Sequence, residues 1–328
     1  MTSSLSNWTV REFHPIDAPG IVELVCEVYG DGYYPPSLYD AEEIVSRNAR
    51  GDLISAVAVA SDDVVGHYAL EPTESRTIAE ASDAIVAPEF RHHHLMEEMR
   101  TCLRAKAEHA GLTGVVGYAV TNHLFSQKAE EHFGAHPCGV TLGLWPKSYH
   151  NLPEPLPQRM SFAVYFKYLR PASETVHAAT DHEEMLARIA AQWNLVIRRP
   201  TPAPIPAAGS ISVHCEPDVQ CATIRVQRVG RDTAAAVLSA RDDLIGHGVA
   251  AILLDLPLAQ PATAELCREL ERHQFFFSGL GPAFAADGDA LVLQWLAEDL
   301  DPSLVQIENP LAAAMLKYVD RCRRAGRN

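Results

Sequence analysis

Residues 77–100, TIAEASDAIVAPEFRHHHLMEEMR, decide the fold. The first ten alternate small, polar and apolar side chains as a central strand does, and the pattern ends at Pro88, which removes a backbone donor. Beyond it Leu95, Met99, Cys102, Leu103 and Ala107 recur at helical spacing, which predicts a helix from about His94 to His109. A strand that turns directly into a helix leaves the first N–H groups of that helix without intrahelical partners, and the helix dipole adds positive charge there. That is an anion site. Arg91, His92, His93 and His94 stand in the turn, with a phosphate, a proton or a metal as its candidate occupants. Adjacent histidines on a turn point different ways, so no metal is expected there.

Working outward, the first half alternates strand and helix. WTVREF (8–13) reads as a strand, DAPGIVELVCEVYG (17–30) and SLYDAEEIVSRNARG (37–51) as helices, and ISAVAVA (54–60) with VVGHYAL (64–70) as a hairpin around Ser61, Asp62 and Asp63. After the 77–109 strand and helix come the strand GVVGYAV (114–120), the helix NHLFSQKAEEHFG (122–134) and the strand CGVTLGLW (138–145). The order β-α-α-β-β-β-α-β-α-β predicts a mixed, mostly antiparallel sheet with helices on both faces.

The second half repeats this order in outline, offset by roughly 135–140 residues. SFAVYFKYL (161–169) reads as its opening strand, DHEEMLARIAAQWNLV as its first helix, and RRPTPAPIPAAGS (198–210) as an extended loop. Then follow ISVHCE, CATIRVQRV, the helix DTAAAVLSARDDLIGHG, VAAILLDL, the helix ATAELCRELERHQ, FFFSGL, ALVLQWL and a last helix through PLAAAMLKYVDRC. Two related α/β domains are expected, 1–155 and 156–328, joined at NLPEPLPQ.

Composition narrows the class. The 328 residues are 47% hydrophobic and 21% charged, an ordinary globular balance. The longest apolar run, VAAILLDLPLA from Val249, is too short for a membrane span, and MTSSLSNWTVREF lacks signal-peptide regions, so a cytoplasmic address is expected. A net charge of −15 argues against a nucleic-acid partner. Seven cysteines without a C-x-x-C pair read as reduced thiols. His214, Cys215 and Cys221 are read as core, and the basic run RCRRAGR as a solvated helix end.

The stretch AIVAPEFRHHHL resembles the signature of the Gcn5-related N-acetyltransferases (GNAT), V-x-P-x-x-R-G-x-G-x-G/A, which joins the fourth strand to the third helix; Val86, Pro88, Arg91 and Leu95 match. ISAVAVASDDVVGHYALE is similar to the family's second and third strands, and NHLFSQKAEEHFGAHPCG to its coenzyme-contacting fourth helix. The SQK, PCG and LGLWP segments resemble bacterial tandem members whose second domain is degenerate. The resemblance implies that the turn holds the pyrophosphate of acetyl-CoA or another acyl-CoA, with Ile85, Val86, Arg91, His92, His93, His94, Leu95, Met96 and Ser126 as coenzyme-binding positions. His92 and His94 depart from it, standing where glycine lets backbone approach phosphate.

The implied activity is direct N-acyl transfer to a small-molecule amine in a ternary complex, without metal. Amine acylation needs a base, an oxyanion donor and an acid for the leaving thiolate. The family's base is often a carboxylate on the fourth strand, which points to Asp83 first and Glu80 second, with a bulge expected near Ala84 and Ile85. The family's tyrosine acid is missing: its position falls on Glu130, leaving Ser126 or His123 on the same predicted helical face. Tyr33, Tyr34, Tyr39, His67 and Glu71 are the expected acceptor lining, suited to a small cationic or aromatic amine. In the second copy, Val226 aligns with Val86 and Asp232 falls at the helix start, a good N-cap and a poor neighbour for pyrophosphate. An acyl carrier protein as donor and a homodimer stay open, as does a second reading: a non-catalytic binding module in a biosynthetic pathway.

Overall fold

The structure, a computed structural model, describes residues 8–73, 77–91, 93–148, 155–171, 175–177 and 181–326. The chain divides into two compact units, one of Met1–Gly117, Ser148–Pro155 and Tyr168–Arg170, the other of Tyr118–Lys147, Leu156–Lys167 and Pro171–Asn328. No helix among the described residues is long and apolar enough to cross a membrane.

In the first unit the elements follow the predicted order: β1 (Trp8–Glu12), α1 (Ala18–Tyr29), α2 (Ala41–Arg50), β2 (Ile54–Ala60), β3 (Asp63–Pro72), β4 (Ile78–Val86), α3 (Leu95–His109) and the start of β5 (Gly114–Val120). β1 to β4 form an antiparallel meander, and β5 lies parallel to β4. The β2–β3 turn puts Ser61 and Asp62 both at positive φ, as a primed hairpin turn demands. Local chemistry sets α2: the Asp40 carboxylate accepts from the N–H groups of Glu42 and Glu43, and Gly51 closes the helix at φ 72. Leu95, Met99, Leu103 and Ala107 bury one face of α3 in a core shared with Ile21, Leu24 and Val25 of α1. Each such aliphatic side chain contributes about 1.5–3 kcal/mol on burial.

The second unit contains the end of β5, α4 (Phe125–His132), β6 (His136–Trp145), β7 (Met160–Tyr168), β8 (Thr175–His177), α5 (Glu183–Ala190), β9 (Val196–Arg198), β10 (Ser210–Glu216), β11 (Cys221–Arg228), α6 (Thr233–Gly246), β12 (Ala251–Pro257), α7 (Thr263–Glu271), β13 (Phe276–Ala285), β14 (Gly288–Leu296) and α8 (Pro310–Ala325). Its strands run β7-β6-β13-β14-β12-β11-β10. The repeat is visible in pairing. β10 and β11 are antiparallel and β11 and β12 parallel, as β3, β4 and β5 are. β6 and β13 meet at one register pair, Gly139 with Gly279, where a Cβ on Gly279 would stand 2.5 Å from the Cys138 carbonyl. The buried Gln294 amide completes that junction by bonding both the N–H and the carbonyl of Leu142.

Three expectations change. β7, read as the opening strand of the second copy, pairs antiparallel with β6, a pairing flanked by the Leu156 N–H on the Lys147 carbonyl. His214 and Cys215 are exposed on β10 rather than core, since β11 pairs only one of that strand's edges; Cys221 is buried as expected. Arg323 of the basic run is 5% exposed, drawn in by Asp299, Asp320 and the Leu300 carbonyl.

Candidate active site

β4 is paired with β3 from Ala79 to Val86, yet its ladder with β5 covers three pairs, Ile78–Gly114 to Glu80–Val116, so residues 81–86 extend past it. Along this stretch the register with β3 slips. His67 opposes Ile85 and Ala69 opposes Ser82, which leaves Asp83 and Ala84 both facing Tyr68. Asp83 absorbs the bulge at φ 52, a conformation that costs a non-glycine residue about 1–3 kcal/mol and that Asp tolerates better than most.

The bulge buries the Asp83 carboxyl, 5% exposed. Tyr33 Oη donates to Oδ1 at 3.4 Å, and Oδ2 has no partner. Burial, then the charge of Glu71, pushes Asp83 up to about 8, against the opposing pull of Arg47 and the bond from Tyr33. Glu71 is itself bound by Arg47 at 2.8 Å and faces Glu80 across the β3–β4 ladder. A buried carboxyl poised near neutral pH with a vacant oxygen can take a proton from a neighbouring group.

The structure thus brings Asp83, Tyr33 and Glu71 together. Glu80 lies on the same strand, half-buried. Tyr34 is partly buried in the loop beside Tyr33, whose ring is 4.7 Å from that of Tyr29. Tyr39 does something other than line a site: its hydroxyl donates to the Gly30 carbonyl and accepts from Tyr33 N–H, closing the loop. His67 is fully buried, 3.0 Å from Ser55 Oγ, and burial holds its ring down to about 4 and so neutral at neutral pH. It lies inside the sheet opposite Ile85, beside the bulge, with Nδ1 buried and unpartnered. Arg47 carried no signal in the sequence, where a cation in the last turn of a helix reads as dipole compensation.

In the turn, Pro88–Phe90 form a short 3-10 segment, and Arg91 Nε donates to the Val86 carbonyl at 3.2 Å. The guanidinium is exposed and its charge reaches the buried Tyr29 hydroxyl. His94 is the N-cap of α3 at φ 62, the left-handed conformation that glycine adopts freely, and its side chain makes no cap bond. Its Nδ1 lies 3.4 Å from Glu97, while Trp8 Nε1 donates to Glu98 and the Trp8 ring packs on His93. Ile85 and Leu95 are in the core, so only their backbone is open to a ligand; Val86 and Met96 are half-buried. His92 lies outside the described residues. A groove of this unit lined by Arg11 together with Asp17, Glu23, Glu27, Asp62, Asp63 and Glu89 carries an acidic excess and is a poor seat for phosphate.

Ser126, His123 and Glu130 belong to the second unit. Ser126 and Glu130 lie one turn apart on α4, whereas His123 precedes the helix, which starts at Phe125. Ser126 Oγ and His123 Nδ1 are buried without partners, and burial lowers the His123 ring from its ordinary value. The second copy's turn differs from the expectation. Asp232 does not cap α6 with its side chain; Oδ1 accepts Gly209 N–H at 2.7 Å. Arg231 N–H meets the Pro206 carbonyl, and a Cβ on Gly230 would fall 2.3 Å from Gly209 N. The proline-rich loop is folded onto that turn.

No family model and no curated protein matches this chain. Among solved structures it is similar to an acetyltransferase of the GNAT family from Staphylococcus aureus Mu50, at 12% identity and TM-score 0.38, over 50% of this chain and 100% of that one. It is also similar to the ribosomal-protein-S18-alanine N-acetyltransferase of Escherichia coli, at 11% identity and TM-score 0.40, over 51% and 97%. A third is an aminoglycoside 6'-N-acetyltransferase complexed with coenzyme A, at 16% identity and TM-score 0.39, over 50% and 99%.

Proposed function

We propose that this chain is an acyl-CoA-dependent N-acyltransferase, acetyl-CoA being the preferred donor, that acts on a small-molecule amine by direct transfer. The observation that carries this reading is Asp83: a buried carboxyl raised to about 8, with one oxygen vacant, held in a left-handed bulge on the strand that feeds the α3 turn. We assign residues 1–155 the catalytic role and 156–328 that of a degenerate copy.

The turn fits a coenzyme's phosphates on the chemistry of its donors. The open N–H groups at the start of α3, the glycine-like backbone of His94 and the exposed Arg91 guanidinium are the residues that would hold it. When bound, the coenzyme supplies an activated acyl thioester. The chain's own residues do the rest: Asp83 Oδ2 accepts a proton from the amine, Tyr33 keeps Oδ1 oriented, and the Arg47–Glu71 pair tunes the carboxyl's affinity for that proton. Glu71, Tyr33 and Tyr34 favour a cationic or aromatic amine. A leaving thiolate, with an ordinary pKa near ~8.5, asks little of an acid.

The Glu97 and Glu98 carboxylates in the first turn of α3 favour the second reading, a binding module without catalysis, because they compete with a bound anion. A pH–rate profile with acetyl-CoA and a panel of small amines separates the two. Catalysis through Asp83 gives a rate that rises through about pH 8 and vanishes in Asp83→Asn; no acetyl transfer to any amine alongside measurable CoA binding favours the module.

A further inference from the structure

The second unit holds a cluster of side chains that the acyl-transfer reading leaves unused. Cys267 and Glu271 stand one helical turn apart on α7, His182 is the N-cap of α5, and Tyr318 sits on α8. His182, Cys267 and Glu271 each present a ligand atom, and the three atoms lie within 4.8 Å of one another. The imidazole is held from both sides, with Nε2 2.9 Å from Glu271 Oε1 and Nδ1 2.8 Å from Tyr318 Oη. His182 and Cys267 are buried, while the Glu271 side chain is 27% exposed and leaves an edge through which an ion can enter.

We propose that His182, Cys267 and Glu271 form a Zn2+ site, with water in the fourth position and Tyr318 as the outer partner that orients the imidazole. Zn–S and Zn–N or Zn–O bonds of about 2.3 and 2.0 Å put neighbouring ligand atoms about 3.3–3.5 Å apart, within reach of the present spacing by small side-chain shifts. The ligand set also balances charge. One thiolate and one carboxylate neutralise a dication in a place where an unmatched ion would be costly. On binding, the Cys267 S–H proton leaves to solvent, the His182 Nε2 lone pair turns to the metal, and Nδ1–H donates to Tyr318 Oη, the outer bond that fixes the tautomer of ligating histidines. Without an ion the thiol stays protonated, since burial raises it well above its ordinary value. Mixed nitrogen, sulfur and oxygen donors select Zn2+ over Mg2+ or Ca2+, which take oxygen alone. The ion would tie α5 to α7 and contribute no step of acyl transfer.

The test uses the untagged full chain kept reduced, with zinc measured after dialysis against micromolar Zn2+ and with Co2+ as a spectroscopic stand-in. The expected result is one zinc per chain, a thiolate-to-cobalt charge-transfer band, and a Tm that rises with Zn2+. The band should disappear in Cys267→Ser and survive in Cys26→Ser and Cys215→Ser, whose thiols are exposed. Glu271→Gln, at the exposed edge, guards against a folding defect and should weaken zinc binding at least ~10-fold. A cobalt band unchanged in Cys267→Ser, full affinity in Glu271→Gln, or less than stoichiometric zinc in the native chain would overturn the site and leave a hydrogen-bonded core histidine.

Discussion

The two strand-to-helix turns of this chain share a layout and differ in what surrounds them. At the first, residues 87–95, the backbone takes a glycine-like φ at His94, Arg91 is exposed, His93 packs on Trp8, and Glu97 and Glu98 reach His94 and Trp8. At the second, residues 229–233, the loop before β10 lies against the turn, with Asp232 accepting Gly209 N–H and Arg231 donating to Pro206. The second turn is thus occupied by a segment of the chain itself. The strand behind each turn differs in the same sense: β4 leaves its parallel partner after three pairs and bulges at Asp83, whereas β11 keeps five pairs with β12.

The comparison is broken most directly at Asp83. Asp83→Asn should lower kcat by about 10²–10⁴-fold, the usual contribution of a general base. The same variant should flatten the pH dependence of stability. A carboxyl raised to about 8 in the folded state binds a proton that the unfolded chain releases near 4, so its contribution to stability is complete below about pH 4 and lost as pH rises to about 8. His67 acts in the opposite sense, but only below about pH 6.5, because its folded value is about 4. Between pH 6.5 and 8, therefore, the native Tm should fall more steeply than that of Asp83→Asn; parallel curves would show that the carboxyl is not raised.

Next in size is Arg91→Ala, which should weaken CoA binding at least ~10-fold through loss of a charge-assisted contact. Its counterpart is Asp232→Ala. That change should leave CoA affinity untouched and lower Tm by a few degrees, since one charge-assisted bond to the Gly209 amide is worth about 1.5–3 kcal/mol. The smallest effect belongs to His94→Gly. Because His94 already holds a left-handed conformation, glycine should be accommodated with a Tm change within ~3 °C and with CoA binding retained; loss of binding would show that the imidazole, not the backbone, is what the turn contributes.

Much of this organisation was legible in the sequence. The element order of the first 145 residues and the α3 face built on Leu95, Met99, Leu103 and Ala107 follow from local periodicity and the stop at Pro88, while the bulge close to Ala84 was implied by the family resemblance. What escaped was set by long-range pairing. β7 carries the same alternating pattern wherever it pairs, so only the register with β6 shows which strand it accompanies. Asp232 has the composition of a cap, yet Gly209, more than twenty residues earlier, offers it a closer donor. Arg323 reads as a solvated cation until Asp299 and Asp320 are seen around it. Tyr39 and His67 were placed in the acceptor lining by their loop and strand positions, and the hydrogen bonds they make, Tyr39 to Gly30 and His67 to Ser55, depend on long-range packing.

The central claim is that the first turn holds a coenzyme and the second is closed. Calorimetric titration of the full chain with CoA, with dephospho-CoA as a control for phosphate ionisation, tests it most directly. The account predicts one site per chain, weakened in Arg91→Ala and unchanged in Asp232→Ala. Two sites of similar affinity, or a single site that survives Arg91→Ala at full strength, would contradict it.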